Sequence, residues 1–273
     1  VERFDAAAEH SLMGHGFFSS DGALLYTVEA HNETGAGKLV VRDADRWAPV
    51  GALDTQGIGP HQAQLMPDGT TAVVANGGIL TRPETGRQKL NLDTMESSLT
   101  YIELATGVVV ERQTVLETKS SIRHLEVADD GTVAFGVQVQ RDATEHNAVV
   151  PLAAVHRMGS EVSMLDTGIE AVAAMNDYVG SVAVNSTTRI AGFTSPRGDR
   201  AAFWNVDSGA FVGEHALADV SGITVSRDQS TFIVSNSLGE LRHLDAESAR
   251  EDRSARSEHP NIRWDNHLIT AVA

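Results

Sequence analysis

One phrase occurs three times in this 273-residue chain: a histidine, a short apolar run, an aspartate-led turn and a second apolar run. Gly57–Ile79 reads GIGPHQAQLMPDGTTAVVANGGI, Gly14–Val28 reads GHGFFSSDGALLYTV, and Ser121–Val137 reads SIRHLEVADDGTVAFGV. His15, His61 and His124 stand at nearly equal spacing before Asp21, Asp68 and Asp130. Such repetition constrains the fold strongly, because each repeat must be one small unit that buries its apolar face only by stacking on the next. Two weaker units follow. The five run roughly over 14–56, 57–117, 121–166, 176–217 and 219–248, with irregular spacing that points to variable loops between constant strands.

Each unit has the same internal order. Turns fall at Asp21-Gly22, Asp68-Gly69, Asp130-Gly131, Asn185-Ser186 and Asp228-Gln229. Asp-Gly suits a hairpin in which both central residues take positive φ. A strand such as Ala72–Ala75 follows the turn. A third is expected at Leu39–Arg42, Leu99–Leu104 or Ala202–Val206, and a fourth at Val108–Thr114 or Ala210–His215. Four short strands per unit of roughly 40–50 residues is the pattern of a β-propeller blade. The expectation is therefore an all-β chain, 1–273 forming a single β-propeller domain. Weak helical patterns occur only near Glu170–Met175 and Ala246–Arg253, and Arg242–Pro260 reads as a charged surface connector. Val1–Asp5 and Ile262–Val272 read as strands that help close a ring. Five units plus these two ends suggest six or seven blades, seven being preferred, with N-terminal strands of the natural protein lying outside this chain.

Composition narrows the function. With 41% hydrophobic residues the chain can bury a core. Its net charge of −16 argues against nucleic acid, whose phosphates need a basic surface. Cysteine is absent, which removes disulfides, thiolate metal sites and cysteine nucleophiles. No apolar run approaches the roughly 20 residues of a membrane-spanning helix. The chain begins at Val1 and carries no signal peptide, which fits a processed or trimmed export substrate.

In a propeller the first strand of each blade lines the channel. The loop entering it shares one face with the loop between the second and third strands. His15, His61 and His124 would then meet at one channel mouth. The loops beside them are Glu29–Gly37, Asn76–Ser98, Gln138–Asn147 and Thr194–Arg200. Ordered loops as long as the second usually carry function. Three imidazoles could hold a transition metal such as iron, copper or zinc, with Glu126, Gln62 or Asn91 steadying the rings. The alternative is that each imidazole hydrogen-bonds nearby backbone. Arg123 and Arg197 suit an anionic ligand or carboxylate, or a salt bridge to a loop aspartate. Asn32, Gln62, Asn76, Asn91, Asp93 and Gln138 complete the candidate ligand-binding set, although Leu92 and Met95 give the segment around Asn91 a packing role too. Ser121, Ser181 and Ser195 lack the nucleophile-elbow context of a serine hydrolase, and no general-base constellation stands out.

The stretches GHGFFSSDGALLYTVEAHNETGAG, GIGPHQAQLMPDGTTAVVANGGI, TRPETGRQKLNLDTMESSL, SIRHL, YVGSV, TSPRG and WDNHL resemble, in order, the bacterial domain-of-unknown-function family fifteen-thirteen. The resemblance implies an exported, periplasmic β-propeller, sent out by the twin-arginine route and encoded beside imelysin-type iron-uptake proteins. Those proteins are the implied partners. Met13 departs from the arginine that often precedes GHG in the family. The family has no settled catalytic residues to carry over. The expected function is an accessory protein that binds a metal or small ligand, more an adaptor than an enzyme. The competing expectations are a lactonase-like hydrolase or metal-dependent oxidoreductase, by analogy of fold, and a protein-interaction scaffold.

Overall fold

The computed structural model describes residues 3–270. Their strands form five four-stranded antiparallel sheets, each with its strands in chain order. The first holds β1 (His10–Phe18), β2 (Leu24–His31), β3 (Ala36–Asp43) and β4 (Pro49–Ile58). The second holds β5 (Pro60–Leu65), β6 (Thr71–Asn76), β7 (Ser98–Glu103) and β8 (Val109–Gln113). The third holds β9 (Ser120–Val127), β10 (Val133–Val139), β11 (Ala153–His156) and β12 (Ser163–Met164). The fourth holds β13 (Ser181–Asn185), β14 (Ile190–Ser195), β15 (Arg200–Asn205) and β16 (Phe211–Ala216). The fifth holds β17 (Val220–Val225), β18 (Thr231–Asn236), β19 (Glu240–Asp245) and β20 (Ser257–Glu258). One short helix, α1 (Ile169–Ala174), forms where a weak helical pattern was expected. These are blade-like sheets. The further two blades of a seven-bladed ring are not among the described residues.

The chain divides into two compact units: Val1–Arg123 with Gln140–Glu145, and His124–Val139 with His146–Ala273. In the first, the two sheets close on Tyr26, Val28, Leu39, Ala63, Ala72, Val74 and Ile102. In the second, the fourth and fifth sheets close on a core that includes Phe203, Ile223, Phe232 and Val234. Middle strands are buried on both faces, as in β6, where all six residues TAVVAN are buried. Such strands need a continuous apolar run rather than alternation. Outer strands such as β8 (VVERQ) alternate between half-buried and exposed.

Several sequence expectations are corrected. The Asp-Gly turns do not place both central residues at positive φ. Only the glycines are left-handed, with φ of +72° at Gly22, +70° at Gly69 and +83° at Gly131. Each aspartate instead accepts a backbone N–H two residues on: Ala23 to Asp21 at 3.0 Å, Thr70 to Asp68 at 2.8 Å, Thr132 to Asp130 at 3.0 Å. Asn185 does the same in the fourth sheet. The recurring residue is thus an Asx-turn former. Glu29–Gly37 is mostly strand, leaving only residues 32–35 as loop. Arg242–Pro260 is not a solvated connector. It returns as β20, and Arg242, whose side chain is 6% exposed, lies among Glu240, Glu251 and Glu258. Ala246–Arg253 forms no α-helix, and only a 3-10 turn, Arg253–Ala255, begins at its end. Residues 3–5 and 262–270 form no strand, and the rest of both expected terminal strands lies outside the described residues.

The first sheet buries an ion pair. Arg42 on β3 is 1% exposed and Glu29 on β2 is fully buried, with Nη2 to Oε1 at 2.5 Å. The guanidinium also donates to Thr27 Oγ1 at 3.1 Å and to the Trp47 carbonyl at 3.2 Å. Glu29 accepts from Thr27 Oγ1 at 2.9 Å and from the Ala7 N–H at 2.7 Å. The Phe4 ring covers the guanidinium at 4.6 Å and stacks on Trp47.

In the second unit, Asp130 faces Arg157 at 2.5 Å and Arg189 at 3.1 Å, and Arg189 also holds Asp207 at 2.9 Å. Burial pushes the Asp130 pKa up, but the Thr132 donors and the two guanidiniums outweigh it and take it down to about 2. A folded-state pKa below the unfolded one contributes stability above the unfolded value, about 3.9. That contribution is lost as pH falls through about 2. Unfolding midpoints measured from neutral pH to pH about 2 are therefore expected to fall more steeply in wild type than in Asp130→Asn. Parallel curves would contradict this.

Candidate functional site

All three repeated histidines lie on the first strand of their sheets: His15 on β1, His61 on β5, His124 on β9. Local backbone explains how two of them are aimed. In β5, Pro60 pairs with Asn76 and Gln62 with Ala75, so His61 is the extra residue of a bulge in the β5–β6 register. In β1, Leu12 pairs with Glu29 and Gly16 with Thr27, so Met13, Gly14 and His15 together oppose only Val28. Such bulges re-aim a side chain and are over-represented beside functional sites. Glycines permit them. Gly59 has φ +57°, and a Cβ there would stand 2.5 Å from the Ile79 carbonyl oxygen. A Cβ on Gly57 would stand 2.3 Å from Cγ of Asn76.

The two bulges bring the half-buried His15 and His61 together, with ring centroids 5.2 Å apart. In the second unit, His124 is 3% exposed and its ring lies 4.8 Å from that of His267. A tetrahedral ion held at 2.0–2.1 Å by two ring nitrogens sets imidazole centroids about 5.2 Å apart. Both pairs are close to that spacing. His267 keeps an exposed edge, yet the protein packed around its ring holds its pKa below the ordinary histidine value, against the pull of Asp265. A neutral imidazole is the ligating form. His267 was not among the candidate ligands read from the sequence. Only its place in the WDNHL stretch signalled more, because its neighbour His124 is far away in sequence.

The candidate ligand-binding residues divide. In the first unit, Asn32 opens the β2–β3 turn and accepts from Ser11 Oγ at 2.7 Å. Gln62 is half-buried on β5 and Arg123 half-buried on β9, where its Cδ lies over Gly77. Asn76 is fully buried and donates to Thr55 O, Ser98 Oγ and Thr100 Oγ1. Asn91 spends its amide on backbone, accepting from Leu80 N at 2.7 Å and donating to Gly78 O at 2.9 Å. It therefore pins the long loop shut. Asp93 is exposed, and its carbonyl and that of Leu92 accept from Lys119 Nζ. Met95 is buried beneath the same loop.

In the second unit, Gln138 donates to Val179 O at 3.1 Å. Arg197 is exposed and lies 4.4 Å over the Tyr178 ring, a cation–π contact where a salt bridge had been the alternative. Ser121 and Ser195 both donate their hydroxyls to backbone carbonyls, and Ser181 Oγ lies 3.5 Å from His267 Nδ1. In the second sheet, the loop after β6 meets the chain entering β5, with Gly77 N to Gly59 O at 2.8 Å. The expected sharing of one end by these two segments holds there.

The fold and its strand-borne histidines define an all-β protein of propeller-like blade sheets. The chain belongs to the family described as "Protein of unknown function (DUF1513)", whose model matches residues 1–271. Among solved structures it is similar in fold to a chain of Kuenenia stuttgartiensis hydrazine synthase. That likeness has a TM-score of 0.61 and 17% identity, and covers 85% of this chain and 70% of the other. No curated protein sequence matches it. No helix among the described residues is long and apolar enough to cross a membrane.

Proposed function

We propose that the sheets are blades of a β-propeller and that the protein binds a transition metal ion through strand-borne imidazoles. His15 and His61 are ligands in the first unit. His124, with His267 beside it, is a ligand in the second. The observation that carries this reading is the His15–His61 pair: two bulges on neighbouring first strands, with rings at the spacing a shared ion requires. Neutral imidazoles favour iron(II), copper(II) or zinc over hard cations such as magnesium. The protein works as a periplasmic metal-binding accessory of iron uptake, and metal handling rather than turnover is its task. The iron-uptake setting that the resemblance implies is in keeping with that role.

Calorimetric titration of metal-stripped protein with Fe(II), Cu(II) and Zn(II) tests it. Saturable binding of at least one ion is expected. His15→Ala and His61→Ala should each weaken it by at least about tenfold, since each removes a ligand bond. Edge-to-face ring packing has a similar spacing. Unchanged affinity in the His15→Ala, His61→Ala double variant would leave only that packing.

A further inference from the structure

A second feature of the first unit is independent of the metal. A cavity of about 210 Å³ opens between the β1–β2 end of the first sheet and the start of the long loop. Its walls include Ala30, Ile79 and Pro83, and its polar lining includes His31, Asn32 and Arg82. Local hydrogen bonds fix the polarity of this lining. His31 Nδ1 accepts the N–H groups of Glu33 at 3.3 Å and Thr34 at 3.4 Å, so the hydrogen of the neutral ring sits on Nε2 and donates. That tautomer also makes His31 a poor metal ligand. Asn32 Oδ1 accepts from Ser11 Oγ, which leaves the amide NH2 as the donating end. Arg82 is held by Nε to the Glu33 carbonyl at 3.3 Å and is half-buried. The Glu9 carboxylate stands 3.9 Å from His31 Nε2, beyond hydrogen-bond range. Its side chain is 84% exposed and can yield to a ligand.

We infer that this cavity is a binding site for a small carboxylate with a short apolar stem. Of the three donors, Arg82 alone carries a full positive charge, which matches a monoanion better than a phosphate dianion. The planar Arg82 fork suits the two oxygens of a carboxylate. The apolar walls suit a few methylene groups, and the volume is below the range of about 300–1,000 Å³ usual for larger organic ligands.

The test is an NMR titration of the metal-free protein with butyrate, butyramide and inorganic phosphate. Butyrate should shift resonances around Asn32 and Arg82 saturably, and butyramide should not. Arg82→Gln should weaken butyrate binding by at least about tenfold, and Asn32→Ala should weaken it to a smaller degree. Thermal melting shows that each variant is folded. Equal binding of butyrate and butyramide, equal affinity in Arg82→Gln, tighter binding of phosphate, or no saturable butyrate response would each overturn the assignment. Because no metal is present, a negative result leaves the histidine reading standing.

Discussion

Arg42→Ala is expected to lower the stability of the first unit by about 3–5 kcal/mol. The reason is the partner left behind. Glu29 is fully buried, and without the guanidinium its charge faces only Thr27 Oγ1 and the Ala7 N–H. Removing the charge from both sides should behave differently. Arg42→Met with Glu29→Leu replaces a desolvated pair by apolar groups of similar size, which is often neutral or stabilising. Denaturant unfolding of wild type, single and double variants measures this directly. A single variant within about 1 kcal/mol of wild type would mean that the pair is hydrated rather than buried. The pair also ties residues 4–7 to the first sheet, because Phe4 covers the guanidinium and Ala7 donates to Glu29.

Gly59→Ala should have the next largest effect, about 2–4 kcal/mol, from two separate penalties. The residue has φ +57°, and the new methyl would lie 2.5 Å from the Ile79 carbonyl oxygen. Backbone rather than a flexible side chain occupies that space, so relief means moving the Gly59–Gly77 junction. Because His61 follows two residues later, metal affinity should fall together with the unfolding midpoint. A variant as stable as wild type would show that the junction can open without strain. Gly51, which has nothing near its absent Cβ, is the control position, and alanine there should change little.

The five units and the placement of His15, His61 and His124 on first strands could be read from the sequence, because both depend on local patterns. Apolar runs and aspartate-led turns recur in order, and each histidine keeps its offset from the turn. The features that escaped depend on contacts between distant residues. Glu29 is a charged residue in a polar-looking stretch, so Glu29–Gly37 reads as loop until its neutralisation by Arg42 of the neighbouring strand is seen. Arg242 misleads in the same way, since three glutamates gather around it only when β20 has returned. His267 is found beside His124 only in the fold. Asn91 carries the chemistry of a ligand-binding residue, yet its amide goes to Gly78 and Leu80, a use that no spacing rule reveals. The turn geometry failed for a subtler reason. Asp-Gly permits two left-handed residues, but an aspartate side chain that reaches forward to the backbone makes one sufficient.

The bulged residue of β5 also separates reactivity from architecture. The β5–β6 ladder shifts by one residue across position 61 and resumes on either side, so position 61 stands outside the β5–β6 register. β17 has the same interruption between Val220 and Gly222, with Ser221 occupying it. Evolution can therefore exchange one functional group for another at this point of a sheet while the surrounding strands keep their alignment. Related chains with equal frameworks could differ in chemistry by a single such exchange.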